Sequence, residues 1–172
     1  MKKLICLFMA LGLLLSFAGC AKKAAPQGGV DGTPEEIITK IYENHQALKL
    51  NVVSTELDLS DADAVAYCTG LESGDKLSAA WISEPMMGSQ AYSLVVARVK
   101  DAADAPEVAR QMYDKVDTAK WICVEADTKT AAYSGDVVML FMVGSQFAES
   151  ATVDTMLEAF KTVCGGNVTV VG

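Results

Sequence analysis

The sequence predicts an α+β fold: a mostly antiparallel sheet of four to five strands with a ferredoxin-like βαββαβ core and additional N-terminal helices. Three observations carry this reading. From Ala91 onward the apolar patterns run strand, helix, strand, strand, helix, strand. Val137 to Val143 is a continuous apolar run between turn residues, as expected of a central strand buried on both faces. Thr33-Pro34-Glu35-Glu36 and Asp104-Ala105-Pro106-Glu107 both read as helix starts, with a capping residue followed by proline and acids in the first turn.

The first helix is expected from Thr33 as N-cap to about Leu48, with Glu36 closing a capping box. Ile37, Ile41, His45 and Leu48 share its inner face, so His45 reads as a hydrogen-bonded histidine at the core margin rather than a catalytic base. The acids Asp58, Asp61 and Asp63 around Ser60 suggest a calcium loop, but no glycine follows the third acid and no glutamate closes the loop. Ser60 as the cap of a short helix over Ala64 to Tyr67 fits better. Strands follow at Ser78 to Ser83 and Ala91 to Val99, separated by a turn through Glu84, Pro85, Met86, Met87, Gly88 and Ser89. The second helix presents Ala105, Val108, Ala109, Met112 and Val116 on one face. Trp121 to Asp127 reads as a strand, Ser134-Gly135-Asp136 as a turn, and Val137 to Val143 as the next strand. Ser145 is expected to cap a final helix with the stripe Val153, Met156, Leu157, Phe160 and Cys164, ended by Gly165 and Gly166. Asn167 to Val171 would add an edge strand. Both crossover helices should cover one face, leaving the earlier helices for the other face or one end.

The chain before the domain has a different character. Lys2 and Lys3 precede Leu4 to Phe17, fourteen residues without a charge. This is the layout of a secretory signal, and it falls short of the roughly 20 apolar residues a spanning helix needs. Phe17-Ala18-Gly19-Cys20 resembles the lipobox cut by lipoprotein-processing enzymes, with Phe17 standing where that pattern usually has leucine. The resemblance implies cleavage before Cys20 and a diacylglycerol thioether, with palmitate-type chains, on its sulfur; two acyl chains anchor stably where one does not. The expected organisation is a signal peptide over 1–19, a lipidated cysteine and flexible tether over 20–32, and one domain over 33–172, on the extracytoplasmic face of the membrane. Lys22, Lys23, Pro26, Gly28, Gly29 and Gly32 give the tether its basic, unstructured composition.

Charge and cysteine content bound the possibilities further. All 22 acidic residues but only ten of the 14 basic ones follow position 30, leaving residues 31–172 at −12. Such a surface repels nucleic acid and anionic headgroups and favours cationic or neutral partners. After Cys6 leaves with the signal and Cys20 takes lipid, Cys68, Cys123 and Cys164 remain. Three thiols cannot all pair, and any one of three pairings is open. They read mainly as small buried hydrophobes, and their wide spacing with a single histidine does not suggest a zinc site.

Three stretches together resemble the domain-of-unknown-function family numbered 4358: Ser83-Glu84-Pro85-Met86 leading into Ala91 to Asp101, Lys120-Trp121-Ile122-Cys123-Val124-Glu125, and Gly135-Asp136-Val137-Val138. The resemblance runs from about Pro34 to Thr162 and implies a small anchored α+β lipoprotein of clostridial-type Gram-positive bacteria. It brings no established activity and does not extend to the tail Gly165 to Gly172. Ser73-Gly74-Asp75-Lys76 has the Ser-x-x-Lys spacing of penicillin-binding proteins, but glycine and aspartate in its middle point to a turn. No nucleophile elbow, phosphate loop or histidine pair is present in the sequence, and no cofactor or metal is assigned. The adjacent Met86 and Met87 in a turn suggest an adaptable contact surface, making Glu84, Pro85, Met86 and Met87 the candidate contact loop. The functional expectation is a non-enzymatic binding or accessory module at the cell envelope, contacting an envelope protein or a cationic small ligand. A cell-envelope hydrolase or transferase and a self-associating surface module are the alternatives.

Overall fold

The computed structural model describes residues 30–45 and 51–172, so Cys20, nearly all of the expected tether, and the expected end of the first helix at Leu48 lie outside the described residues. The α+β class holds, and the sheet is antiparallel throughout with six strands rather than four or five. α1 spans Pro34–Asn44, opened by the Thr33/Glu36 capping box and burying Ile37, Ile38 and Ile41. β1 (Val52–Glu56) is a short, largely exposed edge strand that the sequence pattern does not announce. α2 (Ala62–Thr69) is capped by Asp61, whose carboxylate accepts from Ala64 N. Ser60 instead donates to Asp58 through both its backbone N–H and its hydroxyl, which places it in the preceding turn. α2 stops at Gly70, at φ 76, where an added Cβ would stand 2.4 Å from Val116 N.

β2 (Leu77–Pro85) and β3 (Tyr92–Val99) form the expected hairpin, with β2 longer than the sequence suggested. A 3-10 turn leads into α3 (Ala105–Lys115). The strand expected over Trp121 to Asp127 is a loop, and β4 is Thr128–Ser134. The two-residue turn Gly135-Asp136 explains this. It joins Ser134 directly opposite Val137, so a seven-residue pairing with β5 (Val137–Val143) reaches back only to Thr128. Ser145 opens only a 3-10 turn, with its backbone N–H donating to Asp127. The final helix, α4 (Val153–Val163), starts at its own capping residue, Thr152. β6 (Thr169–Val170) lies within the expected edge segment and pairs with β4.

The strand order is β1-β2-β3-β5-β4-β6. β3, α3, β4 and β5 form the split βαβ unit, with β5 inserted between β3 and β4. The second crossover departs from the ferredoxin-like pattern: β6 pairs with β4, and β2 takes the place beside β3. This also corrects the expected helix placement. Both crossovers, β3 to β4 and β5 to β6, step the same way across the sheet from oppositely directed strands. Right-handed connections then put their helices on opposite faces. Accordingly α3 and α2 pack on one face, over Val95, Ala97, Val138, Leu140 and Met142. α4 joins α1 on the other, over Leu94, Val96, Met139 and Phe141. With both faces covered, β5 is buried along its whole length, as its continuous apolar run requires.

Candidate functional site

The expected contact loop sits where β2 ends and β3 begins. Glu84 and Pro85 close β2, and Met86 and Met87 follow it with 83% and 57% of their surface exposed. Neither methionine folds back over the sheet. The loop between α3 and β4 crosses to meet this turn, and the Ile122 N–H donates to Gly88 O at 2.9 Å. Ile122 is itself 72% exposed, so Met86, Met87 and Ile122 are exposed apolar side chains on two loops that this bond joins.

Lys120 explains why the second loop lies there. Its side chain is only 1% exposed, with Nζ 2.7 Å from Glu84 Oε1 and 3.4 Å from Ser93 Oγ. Nζ also stands 5.0 Å from the centre of the Tyr67 ring and 5.2 Å from that of Trp121. The contact to Oε1 is an ion pair outside hydrogen-bond geometry, and that buried oxygen accepts no hydrogen bond. Tyr67, half-exposed on α2, donates its hydroxyl to Lys120 O at 3.1 Å. Glu84 and Ser93 come from β2 and β3, and the ammonium of Lys120 reaches both. The cluster thus straps the 116–127 loop to the sheet and to α2. Lys120 is too enclosed to meet a substrate, so the arrangement acts as a strut for the apolar surface.

Charge around this surface has one sign. The only basic residue in 84–90 and 116–127 is the enclosed Lys120, whereas Asp117, Glu125 and Asp127 are exposed. Cys123 is exposed beside Ile122 in the left-handed region, at φ 61. Cys68 and Cys164 are buried on opposite faces of the sheet, and all three thiols are free. Burial raises the Cys68 thiol above its ordinary range, with Lys120 offsetting and Glu84 adding to the effect.

Of the other residues singled out in the sequence, Ser73 bonds to Asp75, while Lys76 pairs with Glu107 and Asp104, so no Ser/Lys dyad forms. Trp81 and Trp121 are half-buried, packed against opposite cores. His45 is buried on the α1/α4 face, away from the loop cluster. Sequence reasoning missed Lys120, Ile122 and Tyr67 as parts of one surface; the sole available signal was Lys120 as the only base in an otherwise acidic loop. Among the described residues no group of three or more His, Cys, Asp or Glu could hold a metal ion, and no helix is long and apolar enough to cross a membrane. Comparison with protein-family models, curated proteins and solved structures finds no match.

Proposed function

We propose that this protein is an accessory binding module held by lipid on Cys20 at the outer face of the cell membrane, and that it docks an envelope protein through Met86, Met87 and Ile122. This places it with the small anchored lipoproteins that its 83–101, 120–125 and 135–138 stretches resemble. One observation carries the docking reading: three large apolar side chains from two loops are exposed together and held by a buried lysine strut. Contiguous exposed apolar surface is the ordinary mark of an interaction site, and methionine adapts to a partner's contour. The acidic surroundings favour a partner with an apolar centre and a basic rim.

The test is crosslinking of the anchored protein in its own membrane, followed by recovery of the partner. Met86→Ser combined with Met87→Ser and Ile122→Ser should abolish recovery while leaving the melting temperature nearly unchanged, because all three side chains are already exposed. Undiminished recovery would remove the docking reading. Separately, Cys20→Ala should release the chain from the membrane and end fatty-acid labelling.

A further inference from the structure

Helices cover both faces of the sheet, so its open surfaces are its two edges. At one of them β6 has only two residues, whereas β1 at the other offers five. The register shows which backbone groups of β1 are free. The Leu57 N–H donates to Ala80 O at 2.9 Å, and these residues stand opposite each other in the continuation of the β1–β2 ladder. Bonded pairs alternate along an antiparallel ladder, so Thr55 and Val53 also turn their N–H and C=O groups towards β2, at Ile82 and Glu84. Val52, Ser54 and Glu56 therefore turn theirs outward. Among the described residues no strand, turn or side chain bonds to them there.

An open edge of this kind is a template for another strand, and proteins commonly blunt it with lysine, proline or a bulge. Val52-Val53-Ser54-Thr55-Glu56 has neither lysine nor proline, its pairing with β2 runs without a shift in register, and Val53 is 48% exposed.

We propose that β1 pairs antiparallel with β1 of a second copy of this chain, about a two-fold axis at Ser54, joining the two sheets into one. Ser54 then faces Ser54 of the copy and Val52 faces Glu56, so every outward N–H and C=O of both strands meets a partner. Glu56 is the only charged residue of the strand, and this register opposes it to Val52. The two glutamates are left four strand steps apart, roughly 13 Å, beyond the Debye length of about 8 Å at physiological ionic strength. Thr55 lies opposite Ile82, which packs on the α2/α3 core, so Val53 and Thr55 share that face. There Val53 meets Thr55 of the copy in a close, non-hydrogen-bonded pair, where β-branched side chains pack well. An unrelated strand would make the same backbone bonds, but a second copy brings a sequence whose charge and apolar positions this register already fits. One feature opposes it: residues 31–172 carry −12, so two domains repel at long range. Salt screens that repulsion and leaves the strand pairing in place.

The test uses the full-length protein in nonionic detergent, with micelles in large excess so that two chains do not share one by chance. In about 0.5 M NaCl, where the Debye length is about 4 Å, sedimentation velocity should show a reversible monomer–dimer equilibrium below about 0.1 mM protein. Hydrogen exchange followed by NMR should slow at the Ser54 and Glu56 amides as the dimer accumulates. Ser54→Lys sets two ammonium groups opposite each other at the axis without removing a β1–β2 bond, and should weaken the dimer at least tenfold at a nearly unchanged melting temperature. Ser54→Thr should keep it. A chain that stays monomeric to about 0.1 mM overturns the proposal. So does a dimer that survives Ser54→Lys, or one in which the Ser54 and Glu56 amides exchange as fast as in the monomer. Dimerisation that Met86→Ser, Met87→Ser and Ile122→Ser abolish while Ser54→Lys retains it would place self-association on the contact loops, and overturns it as well. Recovery of an envelope partner depends on those loops alone, so either reading can fail without the other.

Discussion

Replacing Lys120 with methionine tests whether the buried ion pair holds the two contact loops together. Methionine keeps most of the apolar stem and removes the ammonium, which leaves Glu84 without its partner and takes the ammonium's contacts from Ser93, Tyr67 and Trp121. Removing one member of a fully buried pair costs about 3–5 kcal/mol. Glu84 retains 25% exposure, so water recovers part of that and about 2 kcal/mol is the better figure. Losing the contacts to the two rings adds about 0.5 kcal/mol each, for a total of about 3 kcal/mol. In urea unfolding followed by tryptophan fluorescence, this should lower the midpoint by about 1.5 M. The melting temperature should fall by about 6–12 °C. A second change, Glu84→Gln, combined with Lys120→Met, should restore much of the loss, because the unpaired charge is the principal cost. Hydrogen exchange at the Ile122 amide, bonded to Gly88 O, should accelerate in Lys120→Met more than in the core of β5. A Lys120→Met protein within about 0.5 kcal/mol of the parent, or a double variant no more stable than the single one, would refute the strut.

Three further outcomes follow from the same structure. Alkylation of the native protein should modify Cys123 alone, with Cys68 and Cys164 reacting only on unfolding; mass spectrometry of the digested protein would show any other order. Burial lifts the Cys164 thiol from an ordinary 9.0 to about 11, against the opposing hydrogen bond from Ser134 and the charge of Arg98. The fold holds the protonated form, so this stability is fully present below about pH 9 and lost as pH rises towards 11, amounting to about 2–3 kcal/mol. Cys164→Ala should flatten that limb of the stability profile, and an unchanged slope would contradict it; the raised hydroxyls of Tyr42 and Tyr92 extend the decline to still higher pH. Arg98→Ala removes the guanidinium that pairs with Asp136 at 2.6 Å and donates to Gly32 O at 2.7 and 2.9 Å and to Val30 O. Proteolysis around residues 30–33 should then speed up at least several-fold with a stability loss of about 1–3 kcal/mol, and an unchanged cleavage rate would show that the segment is held by other contacts.

The legible parts of the fold are those whose cause is local. The Thr33/Glu36 box, the apolar run of β5 and the helical face of α3 depend on residues within a few positions, and each lies where the sequence places it. β4 departs from its expected place because Trp121-Ile122-Cys123-Val124 has the stronger β composition, while Thr128-Lys129-Thr130-Ala131 does not. Pairing with β5 through a tight turn overrides that preference, and counting back from Gly135 would have located the strand. Ser145 and Thr152 both resemble caps; only Thr152 has a threonine three positions on to reciprocate. In the contact surface, the methionines are visible as adjacent apolar residues in a turn. Burial of Lys120 is not, because it depends on Glu84, Tyr67 and Ser93, which come from three distant elements. The contact of His45 with Thr155 is hidden for the same reason, since it joins the end of α1 to α4.

The two ends of the sheet then acquire different meanings. Arg98 near the end of β3 and Asp136 in the β4–β5 turn hold Val30 and Gly32, so the chain enters the domain at that end. Tyr92, at the opposite end of β3, pairs with Val143 beside the loops that carry Met86, Met87 and Ile122. Six strand steps from Tyr92 to Arg98 separate the two ends by roughly 20 Å. Ten residues link Cys20 to Val30, a chain that spans at most about 35 Å. If Cys20 carries the proposed lipid, the pinned end stays within that distance of the membrane, and Met86, Met87 and Ile122 lie at the other end of the strands. That reach exceeds the roughly 20 Å between the two ends, so the domain can turn on its tether and present Met86 and Ile122 away from the membrane as well as near it. The Arg98 clamp fixes where the tether leaves the domain, opposite the surface that the Lys120 strut holds.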